Sequence, residues 1–212
     1  RSSLFSSNIN VYYTVWENKP SSGITYIDSD ENLVKGNING MDALHKGIEV
    51  DWAYKVNTKL SVEGLISLGD WIWTSAETVR LYDENNNVIL DNEGMPVDTA
   101  FDAKGVHVGD AAQTQYGLSI RYEPTYNSYI KIRGTYFADY YSDFDPLSLY
   151  GEYGGTESWI IPAYTIFDLH CGYKFKLSDK NKLDVRLSIL NLLDEMYISA
   201  NDFYKKGDAC CS

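Results

Sequence analysis

The chain has 212 residues, of which 44% are hydrophobic, and its formal net charge is −12. This charge, without a clustered basic surface, excludes nucleic acid as a partner, because phosphate binding requires such a surface. No segment approaches the roughly 20 consecutive apolar residues of a membrane-spanning helix, so any crossing of a membrane must use strands. The 18 tyrosines and five tryptophans favour β-structure where apolar and wet surroundings meet.

Seven segments alternate apolar and polar residues with a period of two, which predicts half-buried strands. In chain order they are Phe5–Trp16, Asp42–Tyr54, a segment from Leu60, a segment ending at Tyr122, a segment from Ser128, Phe167–Phe175 and a segment from Lys182. Each has one face that is uncharged over four or five positions. In the last segment the alternation stops at Asn191.

The connections between these segments alternate in length. Short, turn-rich connections lie at about 55–59, 124–127 and 178–181, and long ones at about 18–41, 74–112 and 142–162. A transmembrane β-barrel has short periplasmic turns and long external loops, whereas a soluble β-sandwich gives no reason for such regularity. We therefore predict an all-β, antiparallel, up-and-down transmembrane β-barrel, present as an incomplete run of about seven strands.

Two of the long connections contain a hairpin pattern of their own. Residues 24–27 turn at 28–32, and residues 79–82 turn at 83–87 before 88–90. Both turns begin like a calcium-binding loop, but neither has the glycine at the sixth position and the glutamate at the twelfth that such a loop requires. We predict solvated hairpin tips rather than calcium sites.

Three stretches resemble the β-barrels of TonB-dependent outer-membrane receptors. Residues 40–51 are similar to the G-x-E-x strand of that family, 69–73 to the end of the strand that follows, and 191–197 to its N-L-[FL]-[DN]-x-x-Y signature. The motif residues are Gly47, Glu49, Asn191, Leu192, Leu193, Asp194 and Tyr197. The resemblance implies that residues 1–212 are the C-terminal portion of the barrel, corresponding to strands 15 to 21 of 22.

On this interpretation the plug domain, the first strands and the final strand are expected outside the chain. Cys210-Cys211-Ser212 does not resemble the aromatic ending of the family's last strand. Together with Cys171, these cysteines suggest neither a disulfide framework nor a zinc site.

The polar faces of the strands place many charged residues on the predicted lumen wall. They are His45, Glu49, Asp51, Glu63, Arg121, Lys131, Arg133, Asp168, His170, Lys174, Asp184 and Arg186. They either contact a plug or guide a ligand, or they simply pair with opposite charges across strands. The histidines, including His107, lack the spacing of a metal pair, so we expect no metal and no cofactor.

Asp70, Trp71 and Trp73, at the outer end of the third strand, are the candidate ligand-binding residues. The tryptophans suit stacking on a sugar or an aromatic ligand, and the alternative is an aromatic girdle at the membrane boundary. No arrangement of serine, histidine and acid suggests catalysis, so we do not expect an enzyme.

The resemblance implies an active-transport receptor in the outer membrane of a Gram-negative bacterium, which imports a scarce siderophore, cobalamin, peptide or oligosaccharide with TonB-coupled energy. The implied partners are outer-membrane lipid, the TonB complex through an N-terminal region, the ligand, and a surface lipoprotein. The alternatives are a passive porin-like channel and a soluble β-rich glycan-binding or adhesion module.

Overall fold

The computed structural model describes residues 4–19, 23–38, 40–109, 111–144 and 146–198, and strands make up most of this part of the chain. The strands are β1 (Phe5–Lys19), β2 (Ile24–Ile27), β3 (Leu33–Gly36), β4 (Met41–Lys55), β5 (Leu60–Trp73), β6 (Ala76–Tyr82), β7 (Asp98–Asp102), β8 (Ala112–Tyr122), β9 (Ser128–Tyr141), β10 (Ile160–Ile161), β11 (Tyr164–Lys176) and β12 (Lys182–Ile189). Two short 3₁₀ helices cover Pro146–Leu149 and Gly151–Tyr153. None of the described helices has the length and apolarity needed to cross a membrane. Cys210 and Cys211 lie outside the described residues.

The main sheet follows the order β1-β4-β5-β8-β9-β11-β12, and the short strand β10 pairs with β9. Every pairing is antiparallel, and each long strand lies beside the next long strand in the chain. The seven predicted strands are therefore confirmed, in an up-and-down arrangement. The long loops 20–40, 74–111 and 142–163 join strands at one end of the sheet, which we call the outer end.

One face of the main sheet is uncharged along most of its length, because the register sets apolar residues beside one another. Ile9 pairs with Val50, which pairs with Ile66, and the same row continues through Tyr116 to Tyr136. These side chains are half-buried to exposed, and Ile9, on the edge strand, is 64% exposed. A continuous apolar surface of this kind matches the lipid-contacting band of a transmembrane barrel, so we call this face lipid-facing and the other lumen-facing.

Aromatic rings lie flat over glycines on both faces of the sheet. On the lipid-facing side, a Cβ added at Gly64 would overlap the ring of Trp52, its cross-strand partner. On the lumen-facing side, a Cβ at Gly47 would overlap the ring of Tyr12, whose hydroxyl also approaches the Gly69 position. The glycine of the G-x-E-x motif thus leaves room for a neighbouring ring.

The long loops pack together at the outer end instead of extending separately. They form a second sheet in the order β2-β3-β6-β7, in which β3 from the first loop pairs with β6 from the second. A buried apolar cluster, which we call the loop core, joins residues of all three loops to the strand ends: Ile24, Ile38, Met41, Ala43, Trp73, Val79, Phe101, Ala103, Val106, Val108, Phe144 and Leu149. The predicted hairpin at 24–36 is confirmed.

The predicted second hairpin is confirmed at its turn, where Val88 bridges Tyr82 and the Ile89 N–H donates to the Leu81 carbonyl at 3.0 Å. Its return arm is short: Leu90 bridges Pro96 instead, and the first part of β6 pairs with β7. The segment between β6 and β7 is therefore a small excursion with two turns. Sequence periodicity missed this because β7 is five residues long and has no clear alternation.

Three aspartates hold the hairpin tips of the loops in the same way. Asp28, Asp83 and Asp91 each accept hydrogen bonds, through Oδ1, from the backbone N–H groups two and four residues later. Backbone hydrogen bonding by Asn32 lowers the pKa of Asp28, and the Asn87 side chain and backbone lower that of Asp83. The D-x-[DN]-x-N pattern is thus a turn-capping pattern.

Candidate functional site

The lumen-facing wall of the main sheet divides into three zones along its length. The charged zone, at the end of the short turns, contains most of the charged residues predicted for the wall. The middle zone contains Glu49 and Asp51, and the aromatic zone at the outer end contains Tyr12, Trp16, His45 and Trp71. The zones follow from register, since residues of neighbouring strands that pair lie at the same height.

In the charged zone, opposite charges pair across strands. Lys131 Nζ lies 2.6 Å from Glu63 Oε2, and Ser119 on the strand between them donates to the same oxygen at 3.1 Å. Arg133 Nη2 lies 2.8 Å from Asp168 Oδ2, and the Asp168 side chain is only 8% exposed. Hydrogen bonds to a buried carboxylate offset the loss of its hydration, so these pairs fix the wall's structure.

The rest of the charged zone is also largely paired. Arg186 Nη2 lies 2.9 Å from Asp184 Oδ2, and His170 Nδ1 is 2.9 Å from the hydroxyl oxygen of Ser188. Arg121 contacts Glu123 at 2.7 Å and stacks over the Tyr129 ring at 3.9 Å. The Arg186–Asp184 and Arg121–Glu123 pairs join residues two apart in the same segment, so they differ from the cross-strand pairing weighed above. A direct ligand role for these residues stays a prediction.

The middle zone differs because its acids lack cationic partners. Glu49 accepts a hydrogen bond from Asn10 Nδ2 at 3.1 Å, and neither Glu49 nor Asp51 forms an ion pair within the described part of the chain. Both side chains are exposed. Asp51 lines an open groove of about 730 Å³ that extends into the charged zone, where Glu63, Lys131 and Arg133 also line it.

The aromatic zone is organised around Trp71. The Trp71 ring stacks on His45, with ring centroids 5.3 Å apart and planes at 11°, and Trp16 meets His45 edge-on with centroids 6.3 Å apart. The Trp71 indole N–H donates to the Tyr12 hydroxyl at 2.8 Å. These contacts orient the rings, and Trp16 remains 48% exposed.

A buried glutamine, which sequence reasoning did not select, fixes the backbone of Trp71. Gln113 is 2% exposed; its Oε1 accepts from the Trp71 N–H at 2.8 Å, and its Nε2 donates to the carbonyls of Trp71 and Val108 at 3.2 Å. It therefore ties β5 to the end of the second loop. Its place on the polar side of a strand gave no hint of burial, because period-two alternation does not show that the preceding loop folds back over the strand end.

The three candidate ligand-binding residues separate in the structure. Asp70 lies in the lipid-facing row, where its Oδ2 is 2.8 Å from Lys46 Nζ. Trp73 is 3% exposed within the loop core, edge-on to Phe144 at 5.7 Å, so it neither joins an exposed girdle nor presents a ring face to a ligand here. Trp71 alone of the three faces the lumen with a partly exposed ring, because strand alternation and loop cover remove the other two.

His107 links the second and third loops. Its Nδ1 lies 2.5 Å from Glu157 Oε2, its ring stacks on Tyr141 at 4.1 Å, and its Nε2 lies 4.0 Å from Asp70 Oδ1. The contacts tie both loops to the outer ends of β5 and β9. His107 is thus a structural contact of the loops.

The 191–197 motif forms a turn that ends β12. Asn191 adopts a φ of 50°, and its side chain both accepts from the Glu195 N–H and donates to the Glu195 carbonyl, each at 2.9 Å. Its own N–H donates to Asp168 at 3.1 Å. Tyr197 then stacks on Tyr164 at 4.5 Å. The asparagine and the tyrosine of the motif have therefore separate structural tasks.

Comparison with known proteins agrees with this architecture. A family model described as "TonB dependent receptor-like, beta-barrel" matches residues 2–192. Searches of curated proteins and of solved structures gave no match. Proteins of this family are transporters of the Gram-negative outer membrane. The chain belongs to the TonB-dependent receptor β-barrel family.

Proposed function

We propose that the protein is a TonB-coupled active-transport receptor that binds a scarce ligand outside the cell and imports it across the outer membrane. The observation that carries the proposal is the two-sided main sheet: an uncharged lipid-facing row on one side and a charged, hydrogen-bonded lumen-facing wall on the other. The family supports receptor and transport function in general, and the coupling to TonB is our inference from it.

In this proposal the chain is the C-terminal portion of the barrel, strands 15 to 21 of 22, and a plug domain fills the lumen. The charged zone, most of whose charged residues are already paired with one another, provides a rigid surface for the plug. The TonB complex acts through an N-terminal region, and the packed outer loops offer a surface for a lipoprotein partner.

The experiment compares cells that carry the intact gene, a deletion of it, or a deletion of tonB. We expect the protein in the outer-membrane fraction, with heat-modifiable migration on a gel, and we expect growth on its nutrient to require both genes. Uptake that persists without TonB and with the membrane uncoupled would instead identify a passive channel. Recovery of the intact protein as a soluble periplasmic product would contradict every barrel function.

A further inference from the structure

The net charge of the chain is located entirely in its outer loops. Residues 20–40, 74–111 and 142–163 contain fifteen of the 30 acidic residues and three of the 18 basic residues, so the strands, short turns and C-terminal segment have equal numbers of both. A surface of one sign raises the local concentration of ligands of the opposite sign and repels those of its own. The loops therefore favour approach of cations.

The aromatic zone beneath the loops also suits a cation. The negative face of an aromatic ring attracts ammonium and guanidinium groups within about 6 Å of its centroid. One ring at this end already accepts a cation of the chain itself: Lys19 Nζ lies 4.9 Å from the Trp73 ring. Trp16 is half exposed and has no such cation over its ring among the contacts of the described residues.

His45 adds a hydrogen-bonding group to this zone. Its Nε2 atom is buried and has no hydrogen-bond partner among the described residues. An unsatisfied nitrogen inside a protein is costly, and a neutral imidazole nitrogen is an acceptor for an ammonium N–H. Because this nitrogen is buried, a ligand ammonium seated on Trp16 and Trp71 supplies that partner only when a neighbouring side chain moves aside.

Deeper along the wall, the next charges that a ligand meets are the free acids of the middle zone. The acids of the charged zone have cationic partners, whereas Glu49 and Asp51 have none within the described residues. Acidic loops, aromatic rings and unpaired acids thus follow one another from the outer end toward the interior.

We infer that the ligand is an organic cation that carries ammonium or guanidinium groups, and that Trp16, Trp71, Glu49 and Asp51 bind it. This inference rests on the proposed function and specifies its ligand. A short basic peptide and a polyamine share this chemistry, so the probes must distinguish them. An anionic metal complex would meet repulsion from the loops, and the cation that the chain places at this end, Lys19, already lies over the Trp73 ring.

The test uses the intact protein in detergent and isothermal titration calorimetry with trilysine, spermidine and Nζ-acetylated trilysine. We expect at least one cationic probe to bind, with an affinity that falls as salt rises from 50 to 300 mM, since paired charges are screened. Acetylation, which removes the charges and keeps the backbone, should weaken peptide binding by about tenfold or more. Stronger binding of trilysine than of spermidine would identify a peptide ligand, and the reverse a polyamine.

Variants locate the binding site. Trp16→Ala should weaken binding of the preferred probe by about 2- to 30-fold, the range of a single cation–π contact, and the Glu49→Gln, Asp51→Asn double variant by a similar factor. The matched control is Asp179→Asn, an acid in a short periplasmic turn that pairs with Lys176; it should bind as the unchanged protein does.

The inference is overturned if neither cationic probe binds, if acetylated trilysine binds as well as trilysine, or if the Trp16 and double variants bind normally. Titration with maltotriose and with ferric citrate separates this failure from failure of the proposed function. If either of these binds, or if TonB-dependent uptake persists, the receptor function stands and the cationic ligand does not. Absence of the protein from the outer membrane would refute the receptor function itself.

Discussion

Replacing Asn191 with alanine should destabilise the turn that ends β12. The change removes two side-chain hydrogen bonds to Glu195, each of which contributes about 0.5–1.5 kcal/mol. Alanine also lacks the local hydrogen bonds by which asparagine tolerates a φ of 50°, a conformation that costs a residue with a Cβ about 1–2 kcal/mol. The sum is about 2–5 kcal/mol for local opening of the turn.

Hydrogen exchange of the intact protein in detergent, followed by mass spectrometry over residues 191–197, measures this opening. The amide of Glu195 donates to the Asn191 side chain, and its exchange should become faster by about 30-fold or more. Asn191→Gly is the matched control, because glycine tolerates the positive φ and loses the same hydrogen bonds. Its effect should be smaller than that of alanine. Equal effects would refute the backbone argument, and unchanged exchange in both variants would refute the capping argument.

Three further perturbations test the two faces, the hairpin tips and the loop contacts. Ile66→Arg in the lipid-facing row should lower the unfolding free energy in bilayers by about 2–4 kcal/mol. Ser67→Arg, on the lumen-facing side beside it, should change this energy by less than about 1 kcal/mol. Equal tolerance of both variants would contradict the assigned faces. The pKa of Asp83 lies below its usual value because Asn87 donates hydrogen bonds to its carboxylate. The stabilisation of this tip is therefore complete above about pH 4 and is lost as the pH falls through the lowered pKa. A ¹³C-NMR titration of the carboxyl carbon measures this pKa, and a normal or raised value would contradict the prediction. Glu157→Gln removes the charge that holds the third loop to the second, and limited proteolysis should cleave the second loop faster than in the unchanged protein; an unchanged cleavage rate would show that this contact does not hold the loops together.

The main sheet could be predicted from the sequence because each long strand has one face toward lipid and the other toward the lumen. Apolar and polar residues therefore alternate with a period of two along every long strand. It failed where burial depends on which loops meet. Trp73 alternates correctly to the lumen-facing side, yet the loop core covers it. Gln113 is polar and was assigned to a polar face, yet it is buried. The carbonyls of Trp71 and Val108 accept the hydrogen bonds that its buried amide requires.

The candidate site shows the same limit. Period two places Trp71 and His45 on the lumen-facing side, but their stacking follows from the β4–β5 register, which pairs them directly. Trp16 was assigned to the first strand without a role, since a single sequence does not show which neighbour its ring meets. The free acids of the middle zone became distinct from the paired acids only when cross-strand distances were known.

The rings that lie over glycines have a consequence for how the strands join during assembly. If β4 slid past β5 by two residues, both strands would keep their apolar faces, so the hydrophobic pattern alone gives no penalty for the error. Trp52 would then face Val62 or Ile66 instead of Gly64, and its ring would lose the flat space it occupies. Each aromatic ring therefore favours the one register in which it lies over a glycine of the neighbouring strand. Trp52 and Gly64 select the register on one face, and Tyr12 and Gly47 select it on the other.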